Sequence, residues 1–195
     1  MLQQADQSAI HLLEIIDQIL EIVKLKEGKF SVEIQPTNLH GCLTEVIDEL
    51  RSRIQHKSLQ LQRNYAPQPL LVLADFTSLK QVLFNIIENA VKFTDSGSIT
   101  VTTKIQSTIE GEIPEEIRMA VVEIQDTGIG IEPSQQNKLF QPFIMLDGST
   151  TRSQGGIGLG LVIAQKFIEL MGGSITIESA GKNQGTTVAI ALPLG

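Results

Sequence analysis

Between Ala9 and Leu25, eleven of seventeen residues are apolar, and the polar ones, His11, Glu14, Asp17, Gln18, Glu21 and Lys24, recur every three or four positions. That period puts the polar residues on one narrow stripe of a helix and wraps apolar surface round more than half of the cylinder. A lone helix cannot keep such a surface in water. The pattern predicts helical partners on two sides, as in a four-helix bundle or a dimer; packing on its own domain is the plainer reading. Gly28, after a lysine-bearing last turn, is placed to stop the helix.

The pattern then changes period. Phe30 to Gln35 alternates and predicts a short strand. Thr37 or Asn38 can cap a helix running to about Gln55, with Leu39, Leu43, Val46, Ile47, Leu50 and Ile54 on one face. Strands are expected at Leu59–Asn64 and Leu70–Ala74, with a turn at Pro67–Pro69 between them. Asp75 is the expected cap of a strong helix that ends before Ser96–Gly97. Two long alternating strands follow, Ser98–Gln106 and Ile117–Gln125. From Asp126 to Gly160 the chain is rich in Gly, Ser, Thr and Pro, with one short helical stretch near Ser134–Phe140. Leu159–Met171 reads as a helix stopped by Gly172–Gly173, and Ser174–Ser179 with Thr186–Leu192 as a closing hairpin. The expected fold class is α+β: a two-layer sandwich, its mixed, mostly antiparallel sheet covered by helices on one face, preceded by a long amphipathic helix.

Composition narrows the function classes. The 195 residues carry 15 Lys and Arg against 22 Asp and Glu, a net charge of −7, with one Tyr and no basic run. Nucleic-acid binding, which relies on phosphate-neutralising cations and stacking aromatics, is not expected. Leu70–Ala74 is among the longest apolar runs, so no membrane span is expected, and the polar N-terminus does not resemble a signal peptide. Cys42 stands alone, which rules out an intrachain disulfide and a cysteine metal cage. A reducing compartment, the cytoplasm, is the expectation.

Three segments carry chemistry. Asn85, Asn89 and Lys92 lie at i, i+4 and i+7 of the Asp75 helix, on one face. Two carboxamides and an ammonium aligned in this way suit a hydrated Mg²⁺ and a phosphate chain, although alone they also read as a solvated face. Asp126–Ile131, DTGIGI, follows a strand. It couples a hydrogen-bond-accepting carboxylate to glycines that permit close backbone approach, and by itself it is also simply a turn. Gly155–Leu161, GGIGLGL, opens a helix, where backbone N–H groups can cradle phosphate. Neither a Rossmann nor a Walker spacing fits, so this is a phosphate loop of another design.

Together and in this order, these segments resemble the catalytic ATP-binding domain of sensor histidine kinases, of the GHKL or Bergerat superfamily shared with type II topoisomerases and heat-shock chaperone ATPases. QVLFNIIENAVKFT is similar to its N box, DTGIGI to its first glycine box, LFQPF to its F box, GGIGLGL to its second glycine box and GTTVAIALP to its last strand. The resemblance covers about residue 36 to the end. The first helix resembles the second helix of the kinases' dimerisation bundle. The division implied is residues 1–29 as part of that helix and 30–195 as the catalytic domain.

The resemblance implies roles. Asp126 would accept from the adenine amino group, with Thr186 helping through a water. Asn89 would ligate Mg²⁺, and Asn85 and Lys92 would reach the phosphates. Gly128, Gly130, Ile131, Gly156, Gly158, Leu159, Gly160 and Leu161 would line the nucleotide. Residues 132–155 would form a lid anchored by Phe140 and Phe143, with Arg152 contacting the γ-phosphate or the acceptor domain. In the ATPase relatives a Glu four residues before the Mg²⁺-binding Asn activates water; here that position is Asn85. The acceptor motif, a His followed by an acidic residue and Leu-Arg-Thr-Pro, is missing, and none of His11, His40 and His56 sits in such a context.

The expectation is therefore a phosphotransferase fragment using ATP and Mg²⁺. Its implied partners are a second copy through the N-terminal helix, a separate acceptor-helix domain and a response-regulator receiver domain. Any membrane anchor of the parent would lie upstream. An ATPase or serine kinase on the same scaffold, or a decayed nucleotide-binding dimerisation module, is the alternative.

Overall fold

In the computed structural model, residues 2–110, 115–136, 138–144 and 158–195 are described. The apolar N-terminal stretch forms α1 (Leu2–Lys26), and the rest follows as β1 (Gln35–Asn38), α2 (Leu39–His56), β2 (Gln60–Asn64), β3 (Leu71–Ala74), α3 (Phe76–Phe93), β4 (Ser98–Glu110), β5 (Glu115–Asp126), α4 (Pro133–Gln136), α5 (Gly160–Leu170), β6 (Ser174–Glu178) and β7 (Thr186–Pro193).

Five strands make one sheet in the order β2-β4-β5-β7-β6. The β2–β4 pair is parallel and the other three pairs are antiparallel, as the mixed sandwich requires. Alternation sorts the two faces. Ile99 and Val101, Ala120, Val122 and Ile124, and Val188, Ile190 and Leu192 are buried in one core with the inner faces of α2, α3 and α5. On the other face Lys104 pairs with Glu123 at 2.7 Å. β1 and β3 form a separate antiparallel pair, joined to the end of the chain by a bridge between Val72 and Leu194.

Both helix caps fall on the expected residues. The Asn38 carboxamide oxygen accepts from the Gly41 N–H at 3.1 Å, and one Asp75 oxygen accepts from Ser78 N–H at 2.8 Å. The other Asp75 oxygen accepts from Glu33 N–H at 3.0 Å, tying the connection after α1 to the start of α3.

The strand expected at Phe30–Gln35 is displaced to Gln35–Asn38. Its alternation has another cause. The Phe30 ring leaves the chain path to meet Phe167 at 4.9 Å, and Ile34 stays exposed. The inward residue of β1 is instead a polar one, Thr37, which is tolerated in the core because its hydroxyl donates to Ala74 C=O at 2.9 Å.

Candidate functional site

The site face of α3 is fixed by its opposite face. Leu79, Val82, Leu83, Ile86, Ile87, Ala90 and Val91 are buried, which leaves Asn85, Asn89 and Lys92 half-buried along one line. Asn85 Nδ2 donates to Gly160 C=O at 3.4 Å, so this line abuts the first turn of α5. Burial lowers the Lys92 pKa, with Glu88 acting against it, and its Nζ stands 5.1 Å from the centre of the Phe93 ring. Glu88 lies at the edge of the same face, but its carboxylate is drawn to α2, where it pairs with Arg53.

At the sheet end, Asp126 closes β5 with Ile99 on one side and Thr186 on the other. It is 8% exposed, and burial raises its pKa against the pull of backbone N–H groups of Gly128 and Thr186. Its Oδ1 accepts from Gly128 N–H at 2.8 Å. The glycines of this turn serve the protein's own packing first. A Cβ on Gly128 would sit 2.3 Å from Phe93 C=O, and one on Gly130, at φ +65°, 2.0 Å from Gly181 C=O. Ile129 N–H donates to the same Phe93 carbonyl at 3.2 Å, joining the turn to the end of α3.

Two further residues hold this junction, and neither stood out in the sequence. Lys57, just past α2, donates from Nζ to the carbonyls of Val91, Lys92 and Thr94 at 3.0, 2.9 and 3.1 Å and pairs with Asp95. It thereby satisfies the carbonyls that a helix C-terminus leaves open. Ser179, after β6, accepts from Ile131 N–H and donates to Gly185 C=O at 2.6 Å. A basic residue one helix away and a serine in a hairpin loop carry no local pattern that marks them.

Of the second glycine segment, Gly158 has φ +72°, and a Cβ there would meet Ile144 C=O at 2.6 Å. Leu159 is buried in the core, so it could meet a ligand only through its backbone, whereas Leu161 packs against the core and stays partly exposed. Leu159 stands at the N-cap of α5, and its apolar side chain makes no capping hydrogen bond there. Phe140 packs against the core, whereas the Phe143 ring is 64% exposed on a left-handed backbone. Arg152 and Gly156 lie outside the described residues, as does half of the expected lid, 137 and 145–155.

These pieces match a known family. The family model described as histidine kinase-, DNA gyrase B- and HSP90-like ATPase fits residues 74–195, from the end of β3 to the C-terminus. The chain belongs to this ATPase family. Among curated relatives, the autoinducer 2 sensor kinase/phosphatase LuxQ of Vibrio parahaemolyticus is 34% identical over 96% of this chain and 21% of its own length. The signal transduction histidine-protein kinase BarA of Escherichia coli K12 is 38% identical over 95% of this chain and 20% of its own. The chain thus spans about a fifth of the length of these relatives. Among solved structures, full-length ShkA in complex with AMPPNP superposes with a TM-score of 0.79 at 26% identity, over 97% of this chain and 37% of that one. The nucleotide-free catalytic domain of histidine kinase ThkA superposes at 0.68 and 27% identity, over 83% of this chain and 96% of that one. This is an ATPase domain of the histidine-kinase type. No helix among the described residues is long and apolar enough to cross a membrane.

Proposed function

We propose that this chain is the catalytic module of a sensor histidine kinase, residues 30–195, preceded by part of the dimerisation-bundle helix in 1–29. It binds Mg²⁺-ATP and passes the γ-phosphate to a histidine on a separate acceptor helix, from which a response-regulator receiver domain takes it, on the cytoplasmic side of any membrane.

The observation that carries the reading is the buried Asp126 carboxylate, set beside Thr186 in a turn that is hydrogen-bonded through Ile129 to the Phe93 carbonyl at the end of α3, the helix that bears Asn85, Asn89 and Lys92. Beyond the backbone N–H groups of Gly128 and Thr186, a carboxylate kept out of water can take a further donor, and the adenine amino group is one. At the phosphate end, Lys92 supplies charge, Asn85 a carboxamide and the first turn of α5 its backbone amides. Bound Mg²⁺ would neutralise phosphate charge, with the Asn89 oxygen as its protein ligand. Gly128, Gly130, Ile131, Gly158 and Gly160 hold the walls.

Transfer is favoured over hydrolysis because the face offers no base. Asn85 takes up no proton near neutral pH, and Glu88 is committed to Arg53. Nor does the chain bring an obvious acceptor. The His40 ring is packed against Tyr65, 4.8 Å between centres, and shares a hydrogen bond with the Thr103 hydroxyl, and burial lowers its pKa.

The test is incubation of the chain with γ-labelled ATP, Mg²⁺ and a separately supplied acceptor-helix domain. Acid-labile label on the acceptor histidine, with none on this chain, is expected. Rapid phosphate release without transfer would mean that the domain is an ATPase.

A further inference from the structure

Ser179 closes a ring of contacts around the Asp126–Ile131 turn. Its Oγ accepts from Ile131 N–H at 2.9 Å, at the end of the Asp126–Ile131 turn. The same hydroxyl donates to Gly185 C=O at 2.6 Å, one residue before Thr186. Thr186 pairs across the sheet with Asp126, which begins the turn. Gly185 N–H in turn donates to Gly128 C=O at 3.2 Å. One hydroxyl therefore bolts both ends of the loop system that frames the Asp126 carboxylate. Its own carbonyl is gripped from the far side, since Gln136 of α4 donates to Ser179 C=O at 2.6 Å.

We infer that Ser179 is a positioning residue for the base of the nucleotide, holding Asp126 and Thr186 in register through Ile131 and Gly185 without touching the ligand itself. The inference rests on the ATP-binding reading. A hydrogen bond from a base to a buried carboxylate is sensitive to small displacements, because distance and angle both matter. Gly185 leaves little slack, since a Cβ there would lie 2.0 Å from Asp126 C=O. Without the hydroxyl, the Ile131 amide and the Gly185 carbonyl lose a shared partner and the two loops can part.

The experiment compares ADP and a non-hydrolysable ATP analogue by calorimetry on the full chain, with Ser179→Ala, Ser179→Thr and Asn89→Ala. Ser179→Ala should weaken both nucleotides equally, by about three- to tenfold, because it acts at the end they share. Ser179→Thr, which keeps the hydroxyl, should restore binding. Asn89→Ala should instead weaken the triphosphate more than the diphosphate. Amide exchange at Ile131 should quicken in Ser179→Ala while exchange within α3 stays as it was.

Unchanged affinity in a folded Ser179→Ala would overturn the inference. So would a loss that Ser179→Thr does not restore, which would point to packing rather than the hydroxyl, or quickened exchange throughout the domain. Failure of the unsubstituted chain to bind either nucleotide would sink the ATP reading itself, a result distinct from these.

Discussion

Helices α1 and α3 have the same kind of sequence, apolar at helical spacing with a polar stripe, yet they meet opposite fates. Every apolar position on the inner face of α3, from Leu79 to Val91, is buried against α2, α5 and the sheet. In α1 Ile22 is buried and Leu25 packs at the core's edge, while Leu12, Leu13, Ile16, Ile19, Leu20 and Val23 remain 40–61% exposed. The exposed residues are not scattered. The run 12, 16, 19, 23 steps by four, three and four, the seam of a coiled-coil or bundle helix. The C-terminal end of α1 is fixed to the domain through Ile22 and a hydrogen bond from Gln81 to Glu21 at 2.9 Å. Hydrophobic periodicity thus states that a face must be covered. What covers it is decided elsewhere: for α3 by its own domain, for most of α1 by something else.

The sharpest break in this comparison comes from matched truncations. Leu83→Ala on α3 should cost about 2–5 kcal/mol of unfolding free energy, since the side chain is fully buried. Ile16→Ala on α1 should leave the urea midpoint of the dilute protein nearly unchanged. Equal losses would mean that α1 is part of the domain's own core.

The complementary test asks what α1 is for. The whole chain should sediment as a dimer or larger species that dissociates on dilution, and a chain beginning at Ser31 should sediment as a monomer. If the shorter chain still associates, the contact lies on another face and the exposed seam of α1 is not the interface.

Asp126 extends the comparison from a face to a single group, a carboxylate that the fold buries at the end of β5. Its folded-state pKa lies above the ordinary 3.8. An acid raised in this way costs stability as pH climbs from the ordinary carboxyl range through its folded value, and the cost is complete above that. Asp126→Asn should therefore be more stable than the parent at neutral pH, with the gain vanishing in acid. Adenine nucleotide affinity should fall about ten- to hundredfold in the same variant, a loss of about 1.5–3 kcal/mol. In the parent, affinity should decline as pH drops through the raised pKa. A variant that loses both stability and affinity would show that the carboxylate is there to hold the fold.

Where the sequence was legible, one residue decided each feature. Asn38 and Asp75 marked the starts of α2 and α3, and the alternation of β4 and β5 gave strands that extend slightly beyond the expected ends. The Asn85–Asn89–Lys92 line and the Asp126 turn were readable because helix period and strand end are local. Reading failed where a contact over many residues sets the answer. β1 was misplaced because its inward residue is Thr37, polar by type and buried only through a carbonyl 37 residues away. Lys57 and Ser179 were passed over for the same reason, since their partners lie on other elements. Phe140 and Phe143, alike in the sequence, differ in place: Phe140 packs against the core and the Phe143 ring is exposed.

The smallest expected effect tests whether polar residues on α3 divide as cleanly as its apolar ones. Glu88 adjoins Asn89 in sequence and is the obvious rival for a water-activating base. Its carboxylate, however, is paired with Arg53 of α2 at the surface, with both side chains at least a third exposed. A pair of this kind contributes about 0–1 kcal/mol. Glu88→Gln should accordingly move stability by less than about 1 kcal/mol and leave the slow release of phosphate from ATP where it was. General-base assistance is worth about 10²–10⁴-fold in rate, so a collapse on that scale is easily told from no change. Brisk hydrolysis in the parent that collapses in Glu88→Gln would place the base on α3 after all. Unaltered hydrolysis leaves Glu88 as a strut between α2 and α3, and leaves the site face with its two carboxamides and one ammonium.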